Sequence, residues 1–307
     1  MKSIYLYILF IVLCSVGFSS CKKDPATVIP SNTAPYYDKI PTVVVENYVN
    51  RLFIDLIGRE PLHTEMQKEV EKLKASSLSI AARETLILKL QTDTTHLLGD
   101  SSYRYAFYNR LYELGKARLL EGASDDYIQQ QIGILQFKVL VDSVHGDSIS
   151  FAASKGAILK MRNVLSIQNQ WRYKQIDINT VFARLLDNEV YDNINMNSFN
   201  FVRASFNDLF ARFPTQSEFN AGFFMIESDQ AGLLFGISGK NKGDYIHILT
   251  QSNEFYEGLI RWAYITLLAR DPSSAEVYQI MMSFRANKDM ELLLRNIIKT
   301  DEYANFK

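Results

Sequence analysis

The sequence predicts an all-α fold of the helical-repeat kind: an elongated helical bundle after a cleaved signal peptide and a disordered tether. Three observations carry this prediction. Apolar residues recur at helical spacing along most of the 307 residues, an Arg-x-Pro corner occurs three times in one residue context, and no segment alternates persistently between apolar and polar residues. The chain is long enough to bury a large core as one elongated domain or two smaller ones.

Residues 1–20 read as a secretory signal, with Lys2, an apolar run over residues 4–16 that is too short to span a bilayer comfortably, and small residues up to Ser20. Phe18-Ser19-Ser20-Cys21 resembles a bacterial lipobox, which implies cleavage before Cys21 and acylation of its thiol and its new amine. Lys22-Lys23-Asp24 is similar to the charged start of lipoproteins of the Bacteroidota, which implies a lipid anchor in the outer membrane, periplasmic or surface-exposed. The alternative is an ordinary soluble periplasmic protein in which Cys21 is coincidental. The other cysteine, Cys14, lies in the discarded segment, so no disulfide is expected. Pro25, Pro30, Pro35 and Pro41 punctuate residues 21–42, a polyproline-type tether rising roughly 3.1 Å per residue.

The remaining prolines mark the repeat. Phe53-Ile54-Asp55-Leu56-Ile57-Gly58-Arg59-Glu60-Pro61 corresponds to Phe206-Asn207-Asp208-Leu209-Phe210-Ala211-Arg212-Phe213-Pro214 and to Tyr264-Ile265-Thr266-Leu267-Leu268-Ala269-Arg270-Asp271-Pro272. Glu65, Glu218 and Glu276 follow at one spacing. Similar closing segments end in Tyr191, Tyr256 and Tyr303, with Thr92-Asp93 as a degenerate version after the first copy. These landmarks divide the chain into an N-terminal helical region, 43–195, with repeat 1 at about 44–94, and a C-terminal region, 196–307, with repeats 2 (about 199–255) and 3 (about 256–304).

Within each copy an amphipathic helix precedes the proline, which forces the residue before it out of helical geometry. Gly58, Ala211 and Ala269 end these helices; alanine at two of the three positions suggests close helix approach more than a left-handed cap. Thr64 to Gln67 and Ser273 to Glu276 read as capping boxes opening a second helix, and Ser217 as a lone cap. Arg59, Arg212 and Arg270 either pair across the turn with Glu65, Glu218 and Glu276 or display a row of guanidinium groups to an acidic partner. Thr266 in place of Asp55 and Asp208 argues against a repeated catalytic carboxylate. The glycine-rich insertion at 232–243 reads as a loop. Between the copies, residues 95–195 keep a helical pattern: an aromatic-rich helix through Tyr105 to Leu119, a second over residues 128–144, a third capped by Asp147 or Ser148 running to about Trp171, and a fourth from Asn179-Thr180.

The first corner, from Arg51 to Pro61, resembles the start of the domains of unknown function associated with planctomycete cytochromes. The third, from Ser252 to Tyr303, is similar to a helical unit of unknown function in bacterial surface proteins, itself reminiscent of phycobilisome linkers. The resemblance covers about half the chain and implies helices and a surface setting; neither family supplies a catalytic residue, and no Cys-x-x-Cys-His haem attachment is present.

No chemistry is legible beyond this. His63, His96, His145 and His247 lack the spacing that puts two imidazoles on one helical face. Residues 236–243 fail as a phosphate loop, with Leu234 and Asn241 where glycine and a hydroxyl are required. Neither metal nor cofactor is expected. With 33 Lys plus Arg against 34 Asp plus Glu, no global field favours nucleic acid. Tyr103, Tyr105 and Tyr108 form either a sugar-stacking patch or core packing with hydroxyls at the rim. The expected function is a non-catalytic, membrane-anchored scaffold or interaction module with an envelope or extracellular protein partner. The alternatives are a glycan or nutrient-binding surface lipoprotein and an enzyme whose site is invisible in sequence.

Overall fold

Each corner motif is a helix, a sharp turn and a second helix. In the computed structural model, which describes residues 40–96 and 102–306, the first copy builds α1 (Thr42–Ile57), α2 (His63–Ala75) and α3 (Ile80–Thr92). Next come α4 (Tyr103–Leu119), α5 (Asp125–His145), α6 (Ser148–Leu165), α7 (Ile167–Arg172), α8 (Ile178–Leu186) and α9 (Glu189–Asn195). The second copy is α10 (Ser198–Phe210), α11 (Gln216–Ser228) and α12 (Lys242–Gln251), and the third is α13 (Asn253–Leu268), α14 (Ser274–Asn287) and α15 (Met290–Ile298). A short α16 (Asp301–Ala304) follows. The expected signal peptide, Cys21 and nearly all of the tether lie outside the described residues. Residues Ile40–Lys307 form one compact unit.

Among the described residues the one departure from helices and their connections is the insertion, which is a β-hairpin and not the expected loop. β1 (Gly232–Leu234) pairs antiparallel with β2 (Ile237–Gly239), Leu234 opposite Ile237. Phe235 and Gly236 both take positive φ, the two-residue turn whose twist matches that of paired strands. Phe235 is held in that conformation by packing against Phe206 and Phe210, with ring centroids 6.1 and 5.8 Å away.

The middle segment keeps its four expected helices with adjusted ends. Asp147 caps α6, which breaks at Ser166 before α7, and α8 starts one turn's edge earlier than expected because Asp177, not Asn179, accepts from the Thr180 amide. Asn179 is instead buried, donating to Tyr256 Oη at 2.7 Å. Thr92 ends α3 and caps nothing; the segment that closes the first copy is Ser102, whose hydroxyl accepts from the Tyr105 amide.

The repeats do not extend in a row: the third returns onto the first. α16 packs on α1 and α15 on α3. Tyr303 donates to Asp55 Oδ2 at 2.7 Å and its ring lies edge-on to Tyr48 at 6.0 Å. The same arrangement recurs in the middle of the chain, where Tyr191 of α9 donates to Asp208 Oδ2 at 2.9 Å and meets Phe201 edge-on at 5.2 Å. Thus α16 sits on α1 as α9 sits on α10, and the two repeated aspartates each accept a closing-segment tyrosine. Arg83 to Asp301 (2.7 Å) and Gln91 to the Glu291 carbonyl (2.9 Å) add to the closure.

Candidate functional site

The six residues singled out by sequence meet pairwise. In each corner the guanidinium donates twice to the glutamate six residues on: Arg59 to Glu65 at 2.8 and 3.0 Å, Arg212 to Glu218 at 2.8 Å twice, Arg270 to Glu276 at 3.0 and 2.7 Å. The same arginine donates to the carbonyl of the next residue, Glu60, Phe213 or Asp271. It also lies over the aromatic ring that opens the motif, Phe53, Phe206 or Tyr264, at 5.6, 5.0 and 5.2 Å. The motif therefore spells out one local structure, in which a planar fork is matched to a carboxylate and held over a ring.

Two glutamates that sequence spacing did not single out complete the network. Glu254 and Glu302, in the first turns of α13 and α16, receive Arg212 and Arg270 at 2.7 and 2.8 Å. In the first copy Arg104 stands at the corresponding position, and Glu65 is instead bonded by the Tyr103 hydroxyl at 2.5 Å. The hydrogen bonds from Arg212 hold the Glu218 carboxyl down at about 2, and those from Arg270 do the same for Glu276. Burial pushes Glu65 up, but its bonds from Arg59, Tyr103 and the Leu62 amide outweigh that and leave it lowered. These arginines form closed ion-pair clusters and not a guanidinium row.

Two expectations about the corners are corrected. Gly58, Ala211 and Ala269 all adopt left-handed caps, with φ of 83°, 55° and 54°, so the requirement is the cap and not close approach. A Cβ on Gly58 would meet only Arg110 Cδ at an ordinary 3.4 Å. The caps of the second helices also move: Thr215, not Ser217, forms the box with Glu218, and Thr64 lies inside α2, whose N-cap is Leu62. Leucine carries no acceptor, so only the Glu65 half of that box forms, through the Leu62 amide at 2.6 Å. Ser273 and Glu276 form the expected box.

The tyrosine cluster does not make an exposed patch. Tyr103 and Tyr108 are buried in the core with their hydroxyls on Glu65 and Glu291, and the half-exposed Tyr105 lies under Arg172 at 5.0 Å. All four histidines are exposed. Among the described residues no group of three His, Cys, Asp or Glu is placed to hold a metal ion, and no helix is long and apolar enough to cross a membrane.

Two surface features lie outside the sequence motifs. The first is a cleft of about 570 Å³ where the α7–α8 connection faces the α14–α15 turn. Trp171 and the Tyr108 hydroxyl line it, together with two ion pairs, Lys174 to Glu291 at 2.6 Å and Lys288 to Asp177 at 2.7 Å. Its residues come from distant parts of the chain, so no spacing signals it. The second is the outer face of α5. Ile128, Ile132, Leu135 and Val139 turn inward, while Tyr127, Ile134, Phe137, Leu140, Val141 and Val144 stand exposed, Phe137 at 68% and Val144 at 84%. A helix apolar on two opposite faces is ordinarily covered on both. That signal was present in the sequence, where the apolar residues of 128–144 exceed what one buried stripe needs.

No protein-family model, curated protein or solved structure matches the chain.

Proposed function

We propose that this protein is a non-catalytic helical interaction module of the cell envelope, held to the outer membrane by acyl chains on Cys21. The observation that supports it is the exposed apolar face of α5. Monomeric surfaces scatter single apolar residues but seldom align six large ones along one helix, and such a patch is the usual mark of a docking surface. The internal neutralisation of Arg59, Arg212 and Arg270 gives the corners a structural role and leaves recognition to the helical hairpin.

A photo-crosslinking residue at Phe137, in the full chain expressed in its own membrane, tests the reading. Discrete adducts at position 137, absent from a control at exposed Lys68, are expected; a bare chain at both sites refutes it. Acyl labelling that survives Cys21→Ser refutes the anchor separately.

A second reading, binding of a glycan or other small polar nutrient, is favoured by the cleft. An indole beside paired acids and amines is chemistry suited to sugar hydroxyls. Calorimetry with neutral oligosaccharides should then show heat that Lys174→Ala removes; no heat from any sugar class excludes it.

A further inference from the structure

The exposed residues of α5 follow a seven-residue repeat. Tyr127, Ile134 and Val141 recur at one register position and Gln130, Phe137 and Val144 at the other, the 3.5-residue spacing of a helix that packs along its length on another helix. The inner residues occupy the opposite side, against α6. The outer seam is therefore a second interface, additional to the one that builds the hairpin.

We propose that this seam pairs with itself: two copies of the chain associate through α5, antiparallel, about a two-fold axis between Ile134 and Phe137. The proposal deepens the interaction reading above and rests on it. Three properties of the seam select a second copy.

The first is register. Antiparallel helices set one seam position against the other, and centring the axis between Ile134 and Phe137 aligns every layer at once. Tyr127 then meets the partner's Val144, Gln130 the partner's Val141, and Ile134 the partner's Phe137. The bulkiest side chain faces a small one at each end, and the lone polar residue of the seam, Gln130, opposes the partner's Val141 once on each side of the axis.

The second is area. The five apolar side chains of the seam and the flanking Leu140, 37% to 84% exposed, offer roughly 700 Å² per copy, close to the ~800 Å² per partner of a stable interface. With its 21 residues, α5 is about 31 Å long, enough for three layers on each side of the axis.

The third is charge. The flanks of the seam hold Asp126, Gln131, Gly133, Lys138, Leu140 and His145, so no block of like charge opposes itself. Nothing lies within 4 Å of a Cβ built on Gly133, leaving room for an incoming helix. Antiparallel pairing also sets the two helix dipoles favourably.

Sedimentation of the full chain in mild detergent at micromolar concentration should give a dimer. Phe137→Glu, at a position already two-thirds exposed and so compatible with folding, should weaken it roughly a hundredfold, because a buried charge replaces a central aromatic contact. Direction is read by cysteine cross-linking with the parent chain as control. The double variant Tyr127→Cys/Val144→Cys should cross-link between copies while neither single variant does; within one helix the two positions are too far apart to bridge. Cross-linking by the single Val144→Cys variant would show parallel pairing and overturn the proposal, as would a monomer at all concentrations. A monomer whose Val144→Cys thiol is shielded from maleimide in intact cells but labelled after purification would overturn self-pairing and leave the interaction reading standing. A monomer labelled freely in cells as well would remove both.

Discussion

Replacing Arg212 with alanine discriminates between a structural corner and a binding corner. Its guanidinium donates to Glu218 at 2.8 Å twice, to Glu254 and to the Phe213 carbonyl at 3.1 Å, and lies over Phe206 at 5.0 Å. Dry charge-assisted bonds contribute about 1.5–3 kcal/mol each, but this side chain is one-third exposed, so solvent screening brings each ion pair nearer 0.5–1 kcal/mol. Two ion pairs, a carbonyl bond and a ring contact of about 0.5 kcal/mol then total roughly 2 kcal/mol. For a folded unit of this size that lowers the melting temperature by about 3–4 °C. Thermal unfolding followed by circular dichroism measures it. Arg212→Lys, which keeps charge but loses the fork, should lose about half as much, and Arg212→Ala combined with Glu218→Gln should cost less than the sum of the two alone. A melting point unchanged within about 1 °C, with normal additivity, would refute the latch and return the arginine to a binding role.

Ala269→Gly should stabilise the chain by about 1 kcal/mol, seen as a higher denaturation midpoint, because an L-residue at φ of 54° is strained where glycine is not. Gly258→Ala should destabilise by about 1–3 kcal/mol or more in the same assay, since a Cβ there would run into the Leu209 carbonyl and drive α13 from α10. Acid should weaken the corners. Glu218 and Glu276 are held near 2 when folded and titrate near 4.3 when unfolded, so their stabilisation is complete above about pH 5.5 and is lost as pH falls toward 2. The fall in melting temperature over that window should flatten in Glu218→Gln.

The legible part of the candidate site was its local part. Arg59 and Glu65 are six residues apart across a proline turn, and once a helix stops at Gly58 and another starts after Leu62 the chain has little freedom to keep them apart. The position of each helix end was legible but the left-handed cap was not, because alanine at φ near 55° is costly. Ser217 and Thr64 lie two positions past the true caps, Thr215 and Leu62, because neighbouring hydroxyls compete in the one copy and a residue without an acceptor holds the cap position in the other. The cleft was illegible because Trp171, Lys174, Lys288 and Glu291 converge only through folding.

By itself the sequence determined the all-α class and the three Arg-x-Pro corners, with each arginine and its glutamate at one spacing across the turn. These follow from side-chain chemistry acting within a few residues, where loop closure costs little. Tertiary structure alone decided that Glu254 and Glu302 join those pairs, that α16 caps α1 as α9 caps α10, and which apolar face of α5 is left uncovered. Those outcomes depend on how helices distant in the chain compete for the same buried surface, and that competition is settled only when the whole core packs.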